Sequence, residues 1–332
     1  LFFLLSYPFK SRTYLKNQFF LFIIFLILSF LNTEETCAQK SFSKEFGLIS
    51  DNDLYTSTYY DRYYTNGTFL YFRYLGTKST IKKIHEFRIG QQMYTPQFAN
   101  SHFPEAIDRP YAGYAFINYS QLFFSDKNFG LKSSFELGVL GPDAMAQDLQ
   151  NIIHNIYGFS PAEGWQYQIE NTLGIGMEFL FIKPFSKKEQ KRIDFTSTIS
   201  FKLGTIFSEL NTNIYSRINL FNRPLNKYSN SSLFASNLND IDKNQKNELF
   251  LFIKPQLGYA LYNATIQGSL FNDNSPITYG INSFIYQLEF GLRYSIKRFD
   301  LSYSIIKYSK KTEAIEETMN TYGSIQISYK FN

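Results

Sequence analysis

An all-β fold, an antiparallel transmembrane β-barrel of about twelve strands with one short helix in an outer loop, is the architecture this sequence predicts. Three observations lead there. Past residue 40 the dominant pattern is a two-residue alternation of apolar and polar side chains, the period of a strand with two different faces. The 332 residues are 19% aromatic, with 36 Phe and 26 Tyr against one Trp, an excess that suits the aromatic bands of an outer-membrane barrel. The only long apolar run, Phe19 to Leu31, stands alone, whereas a polytopic helical membrane protein needs several runs of about 20 residues.

That run follows Lys10, Arg12 and Lys16 and is followed by Thr36-Cys37-Ala38, the layout of a secretory signal peptide. Residues 1–38 are therefore expected to be removed after Ala38, leaving residues 39–332 as one barrel domain. An uncleaved anchor is the alternative, disfavoured because the run is short for a bilayer crossing. A lipoprotein acylated at Cys37 fits less well, since Thr36 stands where that processing takes Gly, Ala or Ser. Without Cys37 the remaining chain has no cysteine, which excludes disulfide staples and thiolate metal sites. The net charge of +5, from 33 basic and 28 acidic residues, argues neither for disorder nor for a nucleic-acid partner.

Alternation marks the strands, and Gly, Asn, Asp and charge clusters mark the turns between them. The expected strands lie near 44–52, 65–75, 83–95, 112–125, 129–141, 167–183, 192–207, 212–222, 247–262, 283–297, 299–309 and 321–331. In the tenth, Phe284, Tyr286, Leu288, Phe290, Leu292, Tyr294 and Ile296 share one face, while Gln287, Glu289, Arg293 and Lys297 fall on the other. Charges such as Glu136, Glu178, Glu289 and Arg293 on one face of strands this long suit a lumen better than a soluble sandwich. The last strand alternates through Ile325, Ile327 and Tyr329 to Phe331, the aromatic ending typical of outer-membrane barrels, with Asn332 beyond it. The Asn- and Ser-rich segment 223–246 reads as a long turn.

If the barrel begins in the periplasm, the connections after strands 1, 3 and 5 emerge on the outer rim. The first holds Asn52-Asp53 and Asp61-Arg62, with Tyr64-Thr65 and Gly67 opening the next strand. The second holds Asp108-Arg109-Pro110-Tyr111-Ala112-Gly113, and the third runs from Gly141-Pro142-Asp143-Ala144 to Trp165, Gln168 and Asn171. Within the third, Met145, Leu149, Ile152, Ile153 and Ile156 form an apolar stripe at helical spacing, with Gln147, Gln150, Asn151 and His154 on another face. Gln150 and His154, four apart, are neighbours. Of three histidines, His85 falls near the lower end of strand 3 and His102 in a polar loop, so His154 alone joins a helix to amide neighbours.

Those outer-rim residues together resemble the outer-membrane lipid A 3'-O-deacylase (LpxR-type) family, in strand order over nearly the whole chain after the leader and most closely between residues 46 and 176. The resemblance implies a twelve-stranded barrel in the outer membrane of a Gram-negative cell, embedded as a monomer. It implies a Ca2+-dependent esterase that removes the 3'-linked acyloxyacyl chain of lipid A from lipopolysaccharide in the outer leaflet. His154 matches the family's general base, with Gln150 placed to orient its ring or the water, or merely to form a solvated helix face. Asp53 and Thr65 match positions at the calcium and oxyanion region, where hard oxygen ligands are required, and Asn52 matches the amide donor to the oxyanion. Asn52 and Asp53 could equally make only a strand-end turn. Asp108 and Arg109 are candidates for binding lipid A phosphate, or for a loop-fixing ion pair.

One departure bears on phosphate recognition: where family members carry a Lys-Arg pair in the second outer loop, this chain has Asn100-Ser101-His102. No Gly-x-Ser-x-Gly elbow, His-Glu-x-x-His zinc site or phosphate-cradling Gly loop occurs. An outer-membrane phospholipase and a non-catalytic pore or adhesin remain the competing readings.

Overall fold

The computed structural model describes residues 42–332, apart from 57–61, 77–80, 98–102, 126–127, 161, 186–190, 235–237 and 239–246. The expected leader, 1–38, lies outside the described residues. Twelve strands close into an antiparallel barrel, each paired with its neighbours in sequence. They are β1 (Lys44–Asn52), β2 (Tyr63–Leu75), β3 (Lys82–Thr95), β4 (Ala112–Ser125), β5 (Phe129–Leu140) and β6 (Thr172–Pro184). β7 (Ile193–Gly204), β8 (Phe207–Asn219), β9 (Glu248–Asn263), β10 (Phe284–Ile296), β11 (Phe299–Ser309) and β12 (Met319–Phe331) complete the wall. β1 closes on β12 in a register from Lys44↔Phe331 to Asn52↔Gly323. The end where β1 begins is called lower; the connections after odd-numbered strands form the crown.

Two boundaries depart from the alternation. β6 begins at Thr172, not 167, because Trp165–Tyr167 wind into a 3-10 turn that buries Trp165. Residues 192–222 alternate almost without a break, yet the chain reverses at Thr205-Ile206, so β8 is Phe207–Asn219 and not 212–222. Gly204 fits that reversal closely: a Cβ there would lie 2.7 Å from the Ile175 carbonyl oxygen.

The two faces of the wall divide as the alternation requires. Along β10, Phe284, Tyr286, Leu288, Phe290 and Leu292 are exposed on the outside, while Arg293 and Ser295 are buried within. β6 shows Leu173, Ile175, Met177, Phe179 and Phe181 on its outer face. Apolar columns of this extent belong against lipid. Inside, charges come in pairs, as burial demands. Glu86 meets Arg73, Arg88 at 2.9 Å and Lys132 at 3.3 Å. Lys202 meets Glu136 at 3.1 Å, Lys254 meets Glu289 at 2.9 Å and Arg293 meets Asp300 at 2.8 Å.

Both mouths are filled. Under the crown, Tyr64, Tyr94, Tyr114, Leu140, Ile169, Ile206 and Tyr308 pack together. At the lower end the described part of the segment between β8 and β9, expected as a long polar turn, folds back inside over 225–234 and Leu238. Tyr228, Phe234 and Leu238 pack on the inward residues Ile84, Leu122, Phe124 and Ile182. Arg217 donates to Ser231 Oγ and the Asn226 carbonyl, and Glu248 accepts from the Asn226 N–H at 2.9 Å. Its polar composition suits the polar lumen it enters.

Candidate active site

At the crown end of β1, the Asn52 side-chain oxygen accepts the Leu54 N–H at 2.8 Å and turns the chain into a 3-10 turn, Asp53–Thr56. Asn52 thus makes the strand-end turn, and its NH2 is the end that can still donate to a bound group. The Asp53 carboxylate is buried, 1% exposed, and accepts the Arg62 N–H at 2.9 Å, which ties the turn to the start of β2.

The β1–β2 register sets Asn52 opposite Asn66. Between Tyr64 and Asn66 the β2–β3 register slips, so Thr65 is the extra residue of a β-bulge. A bulge re-aims a side chain. Tyr64, Thr65 and Asn66 are all buried instead of alternating, and Thr65 Oγ1 lies 2.6 Å from Thr95 Oγ1 on β3. Asn52, Asp53 and Thr65 therefore share one corner of the crown.

The predicted helix is present as α1 (Ala146–Tyr157). It sits close on β4 because Gly113 leaves room: a Cβ there would lie 2.4 Å from Ala146 Cβ. Its exposed face mixes apolar side chains with Gln147, Asp148 and Asn155. Met145, Ile152 and Ile156 are 62%, 56% and 74% exposed, whereas Gln150 and His154 are buried. Gln150 is accordingly no solvated face: its side-chain oxygen accepts the Trp165 indole N–H at 2.7 Å, and Trp165 rests against the Tyr111 ring. Ala146 and Trp165 pack with Met93 of β3, two residues before the Thr95 that holds Thr65. The helix thus stands at the same end of the barrel as the Asp53 corner.

α1 ends where Gly158 takes a left-handed conformation, φ 71°, and the Phe159 N–H bonds the His154 carbonyl at 2.8 Å. The reversal carries the Ser160 carbonyl oxygen to 2.6 Å from His154 Nδ1. A carbonyl only accepts, so Nδ1 carries the proton, and in the neutral ring Nε2 is the basic nitrogen.

Asp108 and Arg109 do not pair with each other. Asp108 accepts from the Tyr63 hydroxyl at 2.5 Å and the Gln97 N–H at 2.9 Å, and burial holds its carboxyl above the ordinary range. Arg109 is 2% exposed, lies 4.2 Å over the Tyr94 ring and donates to Thr265 Oγ1 at 2.8 Å and the Pro110 carbonyl. Burial pushes its guanidinium down to about 10, still cationic at neutral pH. Both side chains are engaged in the crown's own framework. Asp61 and Asn100-Ser101-His102 lie outside the described residues. His85 sits low on β3, stacked on Tyr74 and bonded to the Tyr119 hydroxyl at 2.8 Å.

The oxygen-only corner suits a hard cation: a buried carboxylate beside a hydroxyl and amide groups. Among the described residues no three His, Cys, Asp or Glu side chains gather at one point. Below α1, on the lipid-facing side of β2 to β5, runs an apolar groove of about 500 Å³ lined by Leu70, Ile89, Ile117, Leu137, Val139 and Leu149. Sequence reasoning missed Ser160 and Thr95. The first acts through its backbone, which no residue type betrays, and the second through a bulge that strict alternation hides.

A family model described as outer membrane protein LpxR matches residues 20–331. Among solved structures, LpxR from Salmonella typhimurium aligns with a TM-score of 0.69 at 21% identity, covering 86% of this chain and 100% of that one, and shows the same fold. The beta domain of the Bordetella autotransporter BrkA aligns at a TM-score of 0.44 and 7% identity, over 88% of this chain and 100% of that one. No curated protein matches this chain.

Proposed function

The chain belongs to the LpxR family of outer membrane proteins, and from that premise we propose that it is a lipid A deacylase that hydrolyses the 3'-linked acyloxyacyl ester. The observation that supports this reading is His154: a buried imidazole with its tautomer fixed by the Ser160 carbonyl, on the helix whose Leu149 lines an apolar groove and at the same end as the Asp53 corner.

In this mechanism His154 Nε2 removes a proton from water as the water oxygen attacks the ester carbonyl. The Ser160 carbonyl stabilises the imidazolium that results. The same nitrogen then returns the proton to the sugar oxygen as the acyl–oxygen bond breaks, releasing a fatty acid and a free 3'-hydroxyl. Asp53 and Thr65 would hold calcium, and the Asn52 NH2 would donate to the oxyanion. Calcium, when bound, supplies positive charge for the ester's carbonyl oxygen. Gln150, held by Trp165, keeps the helix face in place beside the water. Asp108 and Arg109 brace the loops around the site.

The folded barrel is to be incubated with lipid A and, separately, with glycerophospholipid, each with calcium or a chelator, and the lipids weighed by mass spectrometry. A loss of one acyloxyacyl chain from lipid A that needs calcium and disappears in His154→Ala supports the proposal. Fatty acid released only from the glycerophospholipid points to a phospholipase. Two untouched substrates together with single-channel conductance point to a pore, although the filled mouths speak against one.

A further inference from the structure

The two ends of the barrel differ in charge. Taken by sequence, the six crown connections carry a formal net charge of −8 and the five lower connections +8. The connection after β5 alone has Asp143, Asp148, Glu163 and Glu170 and no Lys or Arg.

Strand phase shows where the lower cations stand. On β6 the outward column Met177, Phe179, Phe181 ends at Lys183; on β7 the column Ile199, Phe195, Ile193 is prolonged by Lys191. Lys44 begins the outward column of Phe46 and Leu48 on β1, and Lys83 that of Phe87 and Ile89 on β3. Lys297 lies at the same end, in the turn between β10 and β11. All five are exposed. Among the described residues, the carboxylates Glu45, Asp194, Glu248 and Asp300 at this end are bound to arginines on the inner side. At the crown end of the wall, Lys307 is the single lysine on an outward column among the described residues.

We propose that these five lysines form a ring that binds the anionic headgroups of glycerophospholipids in the leaflet at the lower end. A lysine that closes an apolar column lays its methylenes along the acyl chains and lifts its ammonium to the phosphate plane. Four such columns and the Lys297 turn, spaced around the wall, meet a charged surface and not a single ligand. Charge complementarity and continuity with the lipid-facing wall identify the occupant. This inference stands independently of the hydrolytic reading.

The test uses the full folded barrel in mixed detergent micelles of phosphatidylglycerol and phosphatidylcholine, with the retained lipids counted by native mass spectrometry. The wild type is expected to retain phosphatidylglycerol about threefold or more over phosphatidylcholine at low salt, and to lose the preference at high salt. Replacing all five lysines by Gln is expected to abolish the preference, and replacing them by Arg to keep it. Equal retention of the two lipids by the wild type, or an unchanged preference in the Gln variant, overturns the proposal. So does displacement of the lipid by millimolar inorganic phosphate, which would mean a discrete phosphate site. The wild-type measurements decide the matter even if the Gln variant fails to fold.

Discussion

His154 shows how little side-chain chemistry is needed to hold an imidazole. Where many buried histidines lean on a carboxylate, this one donates Nδ1–H to a backbone oxygen six residues on, Ser160. That oxygen is delivered by Gly158, whose φ is 71° and whose absent Cβ would touch nothing within 4 Å. A substitution there is therefore felt through the backbone alone. Gly158→Val should cost about 1–2 kcal/mol in the left-handed conformation and lower kcat about tenfold, whereas Gly158→Asn should keep most activity. Equal kcat in the two variants would mean that the turn does not set the ring. Trp165→Phe keeps the packing against Tyr111 but removes the donor to Gln150; a loss of about 1–3 kcal/mol of stability in the crown is expected, measured by the melting of the loop's hydrogen-exchange protection. At this scale the sequence was legible for Asn52, Asp53, Thr65, Gln150 and His154 only in that all lie at the crown end. It was silent on Ser160, because a carbonyl belongs to every residue, and it left the Asp108 and Arg109 partners open.

Elements were readable where periodicity alone decides them. A strand of the wall has lipid on one face and charge pairs on the other, so its period is visible over its whole length, as in β10. The same signal misled at residues 167–171, where Tyr167 and Ile169 alternate with Gln166 and Gln168 although the chain at Trp165–Tyr167 is rolled into a turn. Helix α1 was found by its stripe, yet Ile152 and Ile156 of that stripe are exposed while Leu149 packs on the crown, and Gln150 and His154 of the polar face are buried. Placing Glu at Ile152 and Ile156 should therefore leave the barrel folded, judged by its heat-modifiable gel mobility. It should also cut hydrolysis of vesicle-embedded lipid A by roughly tenfold per site, the equivalent of about 1.4 kcal/mol of lost apolar contact each.

For the whole molecule, closure was legible from an even strand count and from export-type sequence, while the filling of the lower mouth was not. Asn- and Ser-rich chain looks solvent-exposed by composition, but Ser231 and Ser232 are buried: the Ser231 hydroxyl accepts from Arg217 and the Ser232 backbone N–H donates to Glu248. The inner wall depends on such pairing throughout. Glu86→Gln would leave Arg73, Arg88 and Lys132 facing one another with a neutral group between them. It should destabilise the barrel by about 3–5 kcal/mol, read as a lower temperature of the folded-to-unfolded band shift on gels.

The groove beneath α1 opens sideways, between Leu149 of the helix and Leu70, Ile117 and Val139 of the wall. A molecule reaching it travels in two dimensions, so encounter frequency is set by the mole fraction of substrate in the leaflet and not by its bulk concentration. Diluting a fixed amount of lipid A with inert lipid should slow turnover in proportion, the surface-dilution behaviour of interfacial enzymes, while changing the total volume should leave the rate unaltered.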